Sequence, residues 1–242
     1  MKIGLVGYGK TGRMLKRVID ETEGMECVGI ISSYFLRDLG ELNEIPDVII
    51  DFSHPANLEM IRSYGEENSV PVVLGTTGYS AEDMAMIGTL AEKVPVVYTA
   101  NFSLGITIFR QILKQIPPAL RNAFDIEMIE KHHKTKLDAP SGTAKMLLAD
   151  LEEGREYKKT YGRKGMGKRE EGIGVHSVRG GSIAGEHTIL FAGNDEVLEI
   201  THRAGSNRIF ADGALLAARF ARGKEPGLYD MNDVLYDKEV TE

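Results

Sequence analysis

The chain has 242 residues, 42% apolar and 27% charged, ordinary proportions for a soluble globular protein with room for one large domain or two modest ones. Lys and Arg number 29 against 36 Asp and Glu, so the net charge is -7 and wholesale nucleic-acid binding is disfavoured. The lone Cys27 excludes a disulfide framework and a multi-cysteine metal centre, and no run approaches the ~20 apolar residues of a membrane span. An apolar strand pattern begins at once after a single lysine, so no signal peptide is expected, and a cytoplasmic location is the expectation.

In chain order, the first hundred residues alternate strands and helices. Strands are expected at Lys2 to Val6, Cys27 to Ile31, Asp47 to Phe52, Val70 to Leu74 and Val94 to Tyr98. Helices are expected at Gly12 to Glu23, Asn57 to Asn68 and Ser80 to Glu92, the last opened by a Ser80–Asp83 capping box. Val- and Ile-rich runs separated by helices imply a parallel sheet buried on both faces, the signature of a doubly wound α/β unit. The second strand is followed by a short polar stretch rather than a full helix. A helix from Ser103 to Ile116 is then stopped by Pro117 and Pro118. Strands at Asp125 to His133, Gly174 to Arg179, His187 to Phe191 and Val197 to Arg203, with a turn at Gly193–Asp195, imply an α+β region with a mixed sheet. An amphipathic helix spans Asn207 to Arg222 and ends at Gly223. The fold class is therefore α/β: a Rossmann-like domain from 1–103 and 208–242, and a central α+β domain from 104–207.

Gly7, Gly9 and Gly12 form G-x-G-x-x-G between the first strand and the first helix, the context in which this motif binds a dinucleotide pyrophosphate. Tyr8, Lys10, Thr11 and Arg13 share that turn, and Lys10 and Arg13 add positive charge. The carboxylate that would grip the ribose of NAD is not at the end of the second strand, where Ser33 and Arg37 lie instead. That leans slightly toward NADPH over NADH. Gly75, Thr76 and Thr77 follow the fourth strand, and Thr99, Ala100, Asn101 and Phe102 follow the fifth. Both lie at carboxyl ends of strands, where such sheets bind ligands, although Gly, Thr and Asn also form plain turns.

The densest cluster is Glu130 to Thr143, EKHHKTKLDAPSGT. His132 and His133 precede Lys136, Asp138 and a Pro–Ser–Gly–Thr turn. The helix after it carries Ala144, Leu147, Leu148 and Leu151 on one face. The Gly142 and Thr143 N–H groups are expected to be unpaired at its N-terminus, an anion site, with Lys136 as a point charge and a histidine as proton donor. No metal-ligand spacing supports a metal site. The basic segment Gly154 to Gly174 reads equally as a solvated loop or a cationic lid. Arg179–Gly181 and Gly185–His187 read equally as a glycine hairpin or as ligand contacts.

Glu130 to Ala144 resembles the E-x-H-H-x-x-K-x-D-A-P-S-G-T-A signature of the 4-hydroxy-tetrahydrodipicolinate reductase family. The resemblance runs nearly end to end, through Arg13–Met14, Asp51–Ser53, Gly75–Gly78, Asn101–Ser103, Arg179, Gly185–His187, Glu199–His202 and Phe210–Ala214. It implies NAD(P)H-dependent reduction of a dicarboxylate cyclic imine in lysine and diaminopimelate biosynthesis, by a homotetramer. It further implies that His132 is the proton donor and Lys136 the second catalytic residue, with His133, Gly142 and Thr143 holding a substrate carboxylate. The cofactor contacts it implies lie along Gly7 to Gly12, Gly75 to Thr77 and Thr99 to Phe102. Two other readings remain: an amino-acid dehydrogenase of similar build, and a non-catalytic nicotinamide sensor, which the net charge opposes.

Overall fold

A computed structural model describes residues 1–152 and 155–238. It forms two compact units, one from Met1–Leu104 with Asn207–Glu242 and one from Gly105–Ser206. Gly154, the expected start of the basic segment, and 239–242 of the expected first domain lie outside the described residues.

In the first unit, strands β1 (Lys2–Val6), β2 (Glu26–Ile31), β3 (Val48–Asp51), β4 (Val72–Leu74) and β5 (Pro95–Tyr98) alternate with helices α1 (Lys10–Glu21), α2 (Leu58–Asn68) and α3 (Ala81–Ala91). With a sixth strand near the chain's end, β11 (Gly227–Tyr229), the sheet is parallel throughout, in the order β11-β5-β4-β3-β1-β2. Alternate strand residues face opposite layers. Ile50, Val73 and Val97 pack with Leu15, Val18 and Ile19 of α1. Ile49, Val72 and Val96 pack with Ile61, Ile87 and Leu90 of α2 and α3. This two-sided burial is why the strands read as unbroken apolar runs. The register aligns Val6, Asp51, Leu74 and Tyr98, so the residues that follow them emerge along one carboxyl edge.

Helix α1 begins at Lys10, two residues before the expected Gly12, and Gly9 is its N-cap. After β2 a single 3-10 turn, Leu39–Glu41, replaces a crossover helix. The expected capping box at Ser80 and Asp83 is present at the start of α3.

The second unit begins with helix α4 (Leu104–Gln115), whose Ile106, Phe109 and Leu113 enter its core. Pro117 and Pro118 stop α4 as expected, but Pro118 then opens a further short helix, α5 (Pro118–Ala123), because proline suits a first helical turn. Strand β6 (Asp125–His132), helix α6 (Gly142–Glu152) and strands β7 (Lys159–Tyr161), β8 (Ile173–Arg179), β9 (Gly185–Ala192) and β10 (Val197–Ala204) complete it. The sheet is mixed, in the order β10-β9-β6-β8-β7, with β6 parallel to β8 and antiparallel to β9. The hairpin reading of Arg179–His187 is therefore wrong: β8 and β9 flank β6 and do not pair with each other. The Gly193–Asp195 turn does join an antiparallel pair, β9 and β10.

Helix α7 (Arg208–Arg222) ends at Gly223. Strand β11 (Gly227–Tyr229) and helix α8 (Met231–Tyr236) follow, neither foreseen in the sequence, and β11 extends the parallel sheet beside β5. Among the described residues no helix is long and apolar enough to cross a membrane.

Candidate active site

Two constellations emerge, one in each unit. In the first, Gly7 has φ +98, and a Cβ there would lie 2.3 Å from the Phe52 carbonyl oxygen. A Cβ at Gly12 would lie 2.1 Å from the Gly7 carbonyl oxygen. The turn and the first helical turn thus press together in a way only glycine permits, bringing the N-terminus of α1 to the carboxyl edge. Beside it is a cavity of about 420 Å³ whose lining includes Thr11, Phe52, Ser53, Gly75, Thr76 and Thr77. This backbone cradle fits a dinucleotide pyrophosphate.

The carboxyl edge has a fixed polar floor. Asp51 is fully buried and bonded to Ser53, Thr76 and Tyr79, and burial pushes its carboxyl up. Thr76 Oγ1 accepts the Ser53 N–H at 2.8 Å, so the Thr76 side chain ties two loops together. Phe102 is 1% exposed and its ring meets that of Phe52 at a tilt, 5.3 Å between centroids, which leaves its side chain to the core. Asn101 Oδ1 accepts the Ser103 N–H, and Thr99 Oγ1 accepts the Asn101 N–H. Ala100 is exposed between them. At the end of β2, Ser33 and Arg37 are exposed, as are Lys10 and Arg13 on α1. The Tyr8 ring meets Phe35 edge-on at 4.9 Å, joining the glycine turn to this segment. Asp38 and Glu41 are engaged locally: Asp38 accepts the Gly40 N–H, and Glu41 accepts the Arg37 N–H.

In the second unit, the sheet register sorts the helix-facing residues of β6 into rows. Ile126 aligns with Ile173 and Phe191, and Met128 with Val175 and Ile189, forming the apolar core under α4 and α6. The next row is polar: Glu130 between Ser177 and His187, with His202 beyond. His132 and Arg179 close the series. An apolar sheet thus turns into a charged one over two residues, at the carboxyl end of β6.

Glu130 is fully buried. Arg179 donates to both of its oxygens, at 2.7 and 2.9 Å, and His132 Nδ1 bonds the second. Burial pushes Glu130 up, but the hydrogen bonds from Arg179, Ser177 and His132 outweigh it and hold the carboxyl below its ordinary value. Burial also pushes His132 down, and Glu130 opposes that. The His132 and His187 rings meet edge-on at 5.1 Å. His187 Nε2 pairs with Ser141 Oγ at 3.0 Å, and burial pushes His187 down to about 4. Ser141 Oγ also accepts the Ala144 N–H, capping α6.

Lys136 Nζ bonds Asp138 Oδ1 at 2.7 Å. Lys136 is the main cause that holds the Asp138 carboxyl below its ordinary value, and the nearby Gly142 N–H adds a smaller pull. The Asp138 carboxylate of the preceding turn thus lies close to the Gly142 N–H that was expected to be unpaired. Thr143 also has an interaction of its own. His133 lies past the strand end, its Nδ1 2.7 Å from Thr135 Oγ1, so the adjacent histidines have separate partners. The basic segment is largely pinned. Arg163 and Arg169 both bond Glu127, Lys158 bonds Glu170, and β7 pairs with β8.

Comparison with known proteins gives these two constellations a family. Residues 1–102 match the family model for the dihydrodipicolinate reductase N-terminus, and residues 105–235 match that for its C-terminus. The chain belongs to the dihydrodipicolinate reductase family. It is 42% identical to the 4-hydroxy-tetrahydrodipicolinate reductase of Clostridium novyi (strain NT) over 95% of this chain and 96% of that one. It is 43% identical to the relative of that name from Methanoregula boonei, over 94% of each. A dipicolinate-bound dihydrodipicolinate reductase from Paenisporosarcina sp. TG-14 superposes with a TM-score of 0.75 at 25% identity, over 96% of this chain and 98% of that one.

From sequence, Glu130 and Ser141 carry no role of their own within the cluster, and Arg179 and His187 are an even choice between a hairpin and ligand contacts; in the fold all four join the polar cluster around His132. The signal for Glu130 was present, since a two-residue spacing puts it on the face of His132. Arg179 and His187 join it only through strand register, which no local pattern displays.

Proposed function

We propose that this chain is an NAD(P)H-dependent 4-hydroxy-tetrahydrodipicolinate reductase that forms tetrahydrodipicolinate for lysine and diaminopimelate synthesis. The supporting observation is the pairing of Lys136 with one carboxylate, that of Asp138, in the turn that leads from the His132–Glu130 pair to the N-terminus of α6. A site that grips an internal carboxylate this way is built for a carboxylate ligand. A substrate carboxylate takes the place of Asp138, with His133 and Thr143 at its margin.

The cofactor lies on the glycine cradle, held by Gly7 to Arg13, by Gly75 to Thr77 and by Thr99 to Phe102, the last through backbone. When bound, the nicotinamide supplies the hydride that reduces the conjugated cyclic imine. His132 then delivers a proton to the enamine carbon, and Lys136 balances the negative charge of the substrate. Ser33 and Arg37 face the ribose end. With Asp38 and Glu41 engaged by backbone, Arg37 favours a 2′-phosphate and therefore NADPH.

The active form we propose is a cytoplasmic homotetramer assembled through the second unit. Edge strand β10 carries exposed Val197 and Leu198, the kind of surface an oligomer covers.

The test is nicotinamide absorbance while the imine is generated in place from pyruvate and aspartate semialdehyde by the preceding synthase. Imine-dependent consumption is the expected result. A folded protein that binds NADPH, ignores the imine and oxidises an amino acid instead would replace this reading with a dehydrogenase.

A further inference from the structure

We infer that Glu130 is a positioning residue for the proton step, holding His132 by Nδ1 so that Nε2 alone handles the proton, while Arg179 fixes the Glu130 carboxylate. The reaction named rests on the reductase reading; the geometry does not.

A fully buried carboxyl is uncommon unless paired, and this one has Arg179 on both oxygens as well as Ser177 and His132. An ionised carboxylate only accepts hydrogen bonds. His132 Nδ1 must therefore carry a hydrogen in both the neutral and the charged ring, and the exchangeable proton is left to Nε2. Glycine at 185 spares that nitrogen a tight contact: a Cβ there would sit 3.2 Å from Nε2. Glu130 and His132 are two residues apart on one strand, so β6 itself sets their spacing. The other groups facing His132 are Arg179 from β8, His187 from β9 with His202 of β10 behind it, and Lys136 from the following turn. Lys136 and Arg179 oppose protonation of His132, and Glu130 is what favours it.

The experiment is 15N NMR of histidine-labelled full-length protein across pH, with His132→Ala to assign the ring signals. It is paired with kcat and KM against pH for wild type, Glu130→Gln and Glu130→Asp. The expected wild-type neutral ring is hydrogenated at Nδ1 alone. In Glu130→Gln the ring becomes a mixture of both tautomers and titrates at lower pH. The fall in kcat with rising pH moves down with it, and kcat drops roughly 10²-fold while KM changes by about threefold or less. Glu130→Asp keeps the charge and recovers part of both. Wild-type tautomer and pH profile in folded Glu130→Gln would overturn the inference. If Glu130→Gln does not fold, the same result in Glu130→Asp, whose carboxylate is drawn back by one methylene, would overturn it. A tautomer change without any wild-type turnover of the imine would remove the reductase reading and leave the positioning role standing. Turnover without a tautomer change would do the reverse.

Discussion

The carboxyl edge of β1 and the carboxyl end of β6 sit at equivalent places on two different sheets, yet they are built from opposite materials. The first is backbone: Gly7 and Gly12 pressed together with no room for a methyl group, and a helix N-terminus behind them. The second is side chain: Glu130, His132, Lys136 and Arg179, each with a named polar partner. A backbone site recognises a constant shape and fails when an atom is added. A side-chain site acts through charge and protonation, and fails when an atom is exchanged within an unchanged fold.

The sharpest way to separate the two is to remove the reacting groups. His132→Ala and Lys136→Ala should each fold with wild-type circular dichroism and bind NADPH normally, yet lose roughly 10²–10⁴ in turnover. Full activity in both would break the assignment of roles.

The buried histidine row should appear next, in stability rather than rate. His187 falls from 6.5 to about 4 on folding, so the unfolded chain binds the extra proton between those values. Its contribution is complete above about pH 6.5 and is lost as the pH falls toward 4, for a total of roughly 3 kcal/mol. Denaturant titrations from pH 7.5 to 4 should show this slope in wild type, and a shallower one in His187→Gln.

Adding a methyl group to the backbone site is a smaller perturbation of the whole molecule. Gly12→Ala should destabilise the first unit by about 1–3 kcal/mol and weaken NADPH binding. The His132 titration should stay unchanged by NMR, since the second unit is untouched.

The smallest effect belongs to Arg37. In Arg37→Ala the ratio of kcat/KM for NADPH over NADH should fall by about 5- to 10-fold, a loss of about 1 kcal/mol for one exposed ion pair. An unchanged ratio would take the 2′-phosphate away from this residue.

The two regions also differed in how far the sequence disclosed them. The glycine turn and the four parallel strands β1, β3, β4 and β5 were readable because each is local and doubly buried. The second strand was readable as well, but a 3-10 turn stood where a crossover helix is usual. Strands β7 and β11 have three residues each, too few to show a period, and α8 has six. At the other site, His132, Lys136 and the α6 turn stood out through their spacing and the family signature. Glu130 was visible as a neighbour but not as a partner. Arg179 and Gly185, close in sequence, suited two arms of a hairpin as well as they suited ligand contacts. In the fold β6 passes between their strands, and that passage brings Arg179 onto Glu130 and leaves Gly185 over His132 Nε2. Pairing across a sheet is non-local, and local composition does not carry it.

The division of labour itself is tested most directly by one variant measured two ways. In His132→Ala, NADPH affinity by fluorescence titration should stay within about twofold of wild type, while imine turnover falls by roughly 10² or more. Retained turnover, or an NADPH affinity lost in proportion to activity, would contradict an account in which one site holds the cofactor through backbone and the other moves the proton.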